Sequence, residues 1–326
     1  MHITRRQLLA MGLACAPAAI ARRAMAQQGY PSRPVTIVAP FAPGGNIDVV
    51  ARTLSIPLGK TLGQSVVVDN RPGAGGAIGT AVVARAEPDG YNLLIAVPSQ
   101  LSTLPHLFKT PYRMDSFVPI GLTARTTMIL VARKNDARFA TFEKFVELAR
   151  SAPGALSAGH AGPGTPNHMA LLRMEDAVRG SFNAIAYKGS GPALTNLLGG
   201  QIDLVFDQIV SSMPYLKSGD LQALAVLSTA PDPALPGVPL LAERGLPGFD
   251  ATTYTGLLAP AGTPPEVVAT VASALDRSLD DKTLVETLGA VGSYTMHGNG
   301  QAFTRLLEEE SQLAAKFVAE GRLVTN

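Results

Sequence analysis

The sequence predicts an α/β protein of two lobes, each a mixed or parallel sheet flanked by helices, joined by two crossing segments. Three observations predict it. Short apolar runs alternate with glycine-rich loops and helical patterns, the arrangement that builds parallel sheets. Roughly 300 residues beyond an N-terminal leader exceed what a single core usually supports. Two crossing points can be placed, one near Arg125, ahead of the apolar run Met128–Ala132, and one at the β-rich stretch Thr252–Leu258, where the chain would return.

The leader comes first. Thr4-Arg5-Arg6-Gln7-Leu8-Leu9 has the form of a twin-arginine export motif; an apolar run from Leu8 to Ile20 follows, and Ala24-Met25-Ala26 fits a small-x-small cleavage site. The run is too short to span a bilayer, so residues 1–26 read as a removable signal and leave no membrane anchor. The alternative is a general secretory signal whose paired arginines form its positive end. Cys15, the sole cysteine, lies inside the apolar run, so the remaining chain carries neither disulfide nor thiol chemistry. Removing four arginines leaves 23 of the 27 basic residues against 25 acidic ones. A near-neutral protein has no basic footprint for nucleic acid.

Val35–Val38 reads as a buried strand, and Ile47–Leu62 as a helix that Pro57 should kink or end early. Pro43-Gly44-Gly45 between them is a strand-to-helix turn. Glycines there admit positive φ and close approach of a ligand, and the following helix start offers unpaired N–H groups and partial positive charge. That is an anion site made of backbone, unless it is an ordinary turn with Asn46 as N-cap. The layout recurs: strand Ser65–Val68, loop Asp69–Gly75, helix Gly76–Ala86, a turn at Glu87–Gly90 and a third strand, Tyr91–Val97. In an open α/β sheet, ligands sit beyond the carboxyl ends of the strands, where both loops lie.

The ordered set of motifs resembles the Bug family, the solute-binding receptors of tripartite tricarboxylate transporters. The stretches that carry the resemblance are Pro40-Phe41-Ala42-Pro43-Gly44-Gly45 with Asp48, Asp69-Asn70-Arg71-Pro72-Gly73-Ala74-Gly75-Gly76 with Gly79, Pro88-Asp89-Gly90-Tyr91, Tyr187-Lys188-Gly189, Leu197 to Asp203, Leu221 to Val226, and Leu258 to Pro264. They span nearly all of the chain beyond the leader. The resemblance implies a type II-like periplasmic binding fold that closes on a ligand by hinge motion, with residues 30–124 and 253–326 as domain I and 125–252 as domain II.

Downstream, Ser99 follows a strand end, as a ligand donor or as a cap; Gln100 stands beside it. A long irregular piece leads to Met128–Ala132, and Thr141 caps a helix ending at Arg150. Strand Ala155–Ala158 feeds the glycine-rich loop Gly159–Gly164 and a helix from Pro166 to Glu175; by the resemblance, Thr165 and the N–H groups around it face the cleft. His160 and His168 lack carboxylate or thiol partners at ligand spacing, which argues against a metal. Strand Phe182–Tyr187 turns at Lys188–Pro192, and Lys188 reads as a solvated loop lysine. Asp207 ends strand Leu204–Phe206, as a helix cap or as a ligand group. Leu221–Val226 is a strand, 236–247 an irregular excursion, and helices cover Pro264–Leu279, Lys282–Val291 and Gln301–Glu320.

Residues and resemblance together give an expected contact set of Phe41, Pro43, Gly44, Gly45, Asp48, Gly75, Gly76, Ser99, Gln100, Thr165, His168, Tyr187 and Asp207. The expected function is capture of a small carboxylate by a periplasmic monomer and its delivery to a membrane permease, with no cofactor, metal or catalysis. A dinucleotide-dependent oxidoreductase is the competing class, suggested by Gly73-Ala74-Gly75-Gly76. Its spacing is wrong, because Gly79 falls one place late for G-x-G-x-x-G, and no acid follows the next strand to hold a ribose. No nucleophile–base pair supports a hydrolase. A ligand sensor serving a membrane kinase would use the same closure.

Overall fold

A computed structural model describes residues 29–246, 248–321 and 323. The expected signal segment lies outside them. In chain order the elements are β1 (Val35–Ala39), α1 (Asn46–Leu62), β2 (Val66–Asn70), α2 (Ala77–Ala84), β3 (Asn92–Ala96), α3 (Ser99–Ser102), α4 (Leu104–Leu107), β4 (Phe117–Thr126), β5 (Met128–Arg133), α5 (Phe142–Ser151), β6 (Ser157–His160), α6 (Pro166–Val178), β7 (Asn183–Ala186), α7 (Ser190–Leu198), β8 (Leu204–Gln208), α8 (Ile209–Ser218), β9 (Leu221–Val226), β10 (Thr253–Pro260), α9 (Pro265–Leu279), α10 (Lys282–Gly289), β11 (Ser293–Thr295) and α11 (Gly300–Ala319).

The strands form two mixed sheets. The first runs β11-β4-β10-β3-β1-β2 and the second β7-β6-β8-β5-β9. In the first, β1 pairs in parallel with both β2 and β3, while β10 is antiparallel to β3 and β4. In the second, β6 is parallel to β7 and β8, and β5 is antiparallel to β8 and β9. Central strands covered on both faces need continuous apolar runs; β1 buries Val35, Ile37, Val38 and Ala39 accordingly. One core packs Ile37, Leu54, Leu58, Leu93 and Leu275 on the α1 side of the first sheet. The second sheet has its own, centred on Phe139, Phe145, Leu171, Phe206 and Leu224. Only Thr127 separates β4 in one sheet from β5 in the other, and the chain returns at Thr253, the first residue of β10.

Several expectations need correction. Pro57 does not end its helix: α1 continues to Leu62 and stops at Gly63, whose left-handed backbone (φ 70°) donates back to Gly59 and Lys60. The proline ring is buried, and α9 packs across α1 with Thr61 Oγ1 and Ser278 Oγ 3.2 Å apart, so packing holds the turn despite the missing N–H. Asn46 is not the N-cap; Gly45 is, with no side-chain cap bond. The second glycine loop winds through a 3-10 turn, Ala74–Gly76, which shortens the following helix to Ala77–Ala84. The stretch read as irregular contains β4, a ten-residue strand that takes in Pro119 where its pairing with β10 shifts register. Thr141 does cap α5, accepting from the Lys144 N–H. Among the described residues no helix is long and apolar enough to cross a membrane.

Candidate ligand cleft

The carboxyl ends of β1, β2 and β3 face those of β6, β7 and β8 across a cleft, and here the cleft is closed. The Ala42 N–H donates to the Lys188 carbonyl at 3.0 Å, joining the two lobes. Glycines make this approach possible. A Cβ on Gly75 would stand 2.6 Å from the Pro163 carbonyl oxygen, and one on Gly162 would stand 3.0 Å from Gly75 Cα. A Cβ on Gly191 would overlap the Pro43 carbonyl oxygen. Gly44, Gly75 and Gly76 use positive φ (81°, 63° and 100°). Gly45 does not: it is extended (φ −86°), and its added Cβ would make only ordinary contacts, the nearest 3.6 Å from Ser190 N. The positive-φ expectation therefore holds for three of the four loop glycines and fails at Gly45.

A cavity of about 20 Å³ remains between the lobes, lined by Phe41, Gly45, Asn46, Ile47, Val97, Ala161, Thr165, Pro166, Asn167, Ser190 and Gln208. That volume holds about one water. Three helix N-termini converge on it. At α1 the N–H groups of Gly45, Asn46 and Ile47 have no acceptor among the described residues, and the same is true of Asn167 at α6 and of Ser190 and Gly191 at α7. Unpaired N–H groups at helix starts, with the helix dipoles behind them, favour an anion. The wall on the second lobe is stiffened by side chains. Asn167 Nδ2 donates to the Phe206 carbonyl (2.7 Å), Gln208 Nε2 donates to Asn167 Oδ1 (3.2 Å), and Thr165 Oγ1 donates to the Gly162 carbonyl (2.6 Å) while capping α6. Asn46 Nδ2 is buried and unpartnered, a donor left over at the cavity wall.

Of the expected contact set, Phe41, Gly45 and Thr165 line this cavity. The others stand around it. Pro43 and Gly44 are exposed on the rim. The Asp48 carboxylate accepts from Gly44 N–H (3.0 Å), Arg52 Nε (2.8 Å) and Asn70 Nδ2 (2.9 Å), so it holds the first loop in shape from behind. Gly75 meets the opposite lobe, and Gly76 lies against the Gln100 side chain, whose Oε1 accepts from Val97 N–H (2.7 Å) and whose Nε2 is unpartnered. Ser99 is buried with its hydroxyl unpartnered. The His168 ring stacks on His160 at 4.4 Å and accepts from Gly164 N–H through Nδ1. Burial and the neighbouring His160 push its pKa down to about 4, and burial lowers that of His160 too, so both rings are neutral at neutral pH. Tyr187 accepts from Asn196 at its hydroxyl (2.8 Å). Asp207 is fully buried and takes the Ser211 and Ser212 hydroxyls on Oδ2 (2.7 and 2.6 Å); burial raises its pKa. Lys188 is exposed. No group of three or more His, Cys, Asp or Glu side chains able to hold a metal occurs among the described residues.

Sequence reasoning missed Asn46, Ile47, Asn167, Ser190 and Gln208. Asn46, Ile47, Asn167 and Ser190 stand in the first turn of a helix that follows a strand, and Gln208 is the last residue of β8 and the N-cap of α8; the strand-to-helix junction is the signal that could have found them.

The model of the tripartite tricarboxylate transporter family receptor matches residues 50–323. Among solved structures, the periplasmic binding protein BugD is 36% identical, covers 91% of this chain and 100% of its own, and superposes with a TM-score of 0.86. MatC from Rhodopseudomonas palustris with bound malate is 34% identical, with coverage of 89% and 100% and a TM-score of 0.83. A second R. palustris protein, with adipate, is 30% identical, with coverage of 88% and 98% and a TM-score of 0.84.

Proposed function

This chain belongs to the tripartite tricarboxylate transporter receptor family, and from that premise we propose that it captures a small carboxylate between its lobes and delivers it to a membrane permease. The observation that carries the reading is the convergence of unpaired N–H groups from α1, α6 and α7 on one interlobe cavity. Charge-assisted hydrogen bonds from backbone to a carboxylate are about twice as strong as neutral ones, and exclusion of water on closure strengthens them further. The cavity as it stands admits about one water, so a dicarboxylate enters only when the lobes part. The ligand class is that of malate and adipate, the molecules bound by the two R. palustris relatives. As contacts we assign Phe41, Gly45 and Thr165, with Asn46, Ile47, Asn167, Ser190 and Gln208 added.

Hinge bending would occur at Thr126–Met128 and at the entry to β10, dividing residues 30–124 and 253–326 from 125–252. The protein acts in the periplasm as a monomer without catalysis, its leader removed near Ala26. The test is calorimetric titration with a series of dicarboxylates from malate to adipate, alongside small-angle scattering. Saturable heat from at least one acid, with a change of lobe separation, is expected. Absence of heat from every acid in the series would overturn the reading.

A further inference from the structure

A second and much larger cavity, about 460 Å³, opens on the other side of Pro166 from the cleft. Its volume lies in the range of small-molecule sites, roughly 300–1,000 Å³. Three parts of the chain line it: α3 and α11 from the first lobe, α6 from the second, and the returning segment Asp250–Tyr254. Met169, Ala170 and Ala314 give it an apolar body, and Leu313, half exposed, stands at its mouth.

The ionisable residues Arg173, Asp250 and Glu310 line this space, and the first and last stand on helices from opposite lobes. Arg173, on α6, packs its guanidinium over Phe249 and makes a single hydrogen bond among the described residues, from Nη1 to the Asp250 carbonyl (2.5 Å). It forms no ion pair among the described residues. The Asp250 carboxylate takes the Thr252 N–H and hydroxyl on Oδ1 (2.9 and 2.7 Å), which holds it to its own turn, and makes no ion pair with Arg173. Arg173 therefore keeps Nε and Nη2 available in a partly buried setting, which suits a carboxylate. On α11, Glu310 accepts one weak bond from Ser102 Oγ (3.3 Å) and has no cationic partner among the described residues. A carboxyl group with spare acceptor capacity suits a donor.

We propose that this cavity is a second ligand site for an amphipathic ω-amino or ω-hydroxy carboxylate, its carboxylate on Arg173, its chain along Met169 and Ala314, and its far-end donor on Glu310. A molecule seated there touches both lobes and the returning segment, so it favours this arrangement of the lobes and changes affinity in the cleft; by linkage the cleft ligand changes affinity here by the same factor. The coupling rests on the closure reading above. The binding itself does not.

The probe is 6-aminohexanoate, with hexanoate and hexylamine as single-ended controls. The readout is the methyl spectrum of the full chain beyond its leader, labelled at methionine: Met169 lines the cavity, and Met213, in a separate core, is the control. The Met169 signal should shift saturably with 6-aminohexanoate, at a concentration about tenfold or more below that needed with either control, while Met213 stays still. Arg173→Gln should abolish the advantage over hexylamine, and Glu310→Gln the advantage over hexanoate. If Met169 does not move by roughly 10 mM probe, or if Arg173→Gln binds as the wild type does, the site is refuted. Neither result would touch the cleft, whose ligands are read at the amides of α1 and α7.

Discussion

Replacing Gly191 by alanine separates folding from closure. Gly191 is the second residue of α7 and has no positive φ, so alanine suits its backbone and gains up to about 1 kcal/mol of helix propensity. Its Cβ, however, would overlap the Pro43 carbonyl oxygen of the opposite lobe. Relief requires the rim to part by about 1 Å. The Ala42–Lys188 hydrogen bond, 3.0 Å long, lies on that rim and would be lost. A neutral hydrogen bond contributes about 0.5–1.5 kcal/mol, which corresponds to a closed population about two- to twelvefold smaller. Ligand affinity should fall by the same factor, because the bound state is a closed one. Distances between spin labels placed on the two lobes, measured for wild type and variant beside melting curves, give both quantities. The expected outcome is a wider distance distribution with an unchanged or higher melting temperature. An unchanged closed fraction, or a clear loss of thermal stability, would refute the reasoning, since Gly191 would then matter for folding and not for the interlobe contact.

Lys188, Glu310 and the Arg5-Arg6 pair each give a further prediction. Lys188→Ala should change carboxylate affinity by less than about twofold in calorimetry, because its ammonium is exposed and an exposed charge contributes little; loss of binding would mean that a side-chain ion pair holds the ligand. Burial lifts the Glu310 pKa from 4.5 to about 7, so the stability it contributes is complete below pH 4.5 and is lost as pH rises through 7. Glu310→Gln, neutral throughout, should therefore gain about 1–3 kcal/mol on the wild type between roughly pH 5 and pH 8, and parallel melting profiles would contradict this. Arg5→Lys with Arg6→Lys should retain the precursor in the cytoplasm if export follows the twin-arginine route, and normal periplasmic yield would exclude that route.

The repeated strand–loop–helix units were legible because glycine loops and apolar runs are local signals. They place β1, β2, β3 and the three helices that end on the cleft. What sequence could not supply was long-range. β4 passed for a loop because Pro119 and Gly121 interrupt its pattern, yet β10 pairs along its length and Gly121 lies close under Gly298. Pro57 looked like a helix breaker because the packing of α9 on α1, from more than 200 residues away, leaves no local signal. At the site, the polar residue types and loops were readable, but their directions were not. Asp48, in the first turn of a helix, and Asp207, at a strand end, were acids and candidates for a ligand. The fold turns the first onto its own loop and encloses the second with two serines. Asn46, Asn167 and Gln208 carry no motif of their own, and their importance comes from the facing of two lobes.

The central claim is that backbone N–H groups from both lobes hold the carboxylate. Amide spectra of the labelled protein, titrated with malate or adipate, test it most directly. The account predicts large downfield proton shifts at Gly45, Asn46 and Ile47 together with Asn167, Ser190 and Gly191, saturating at one common affinity. Shifts confined to one lobe, or centred on residues away from these three helix starts, would contradict it.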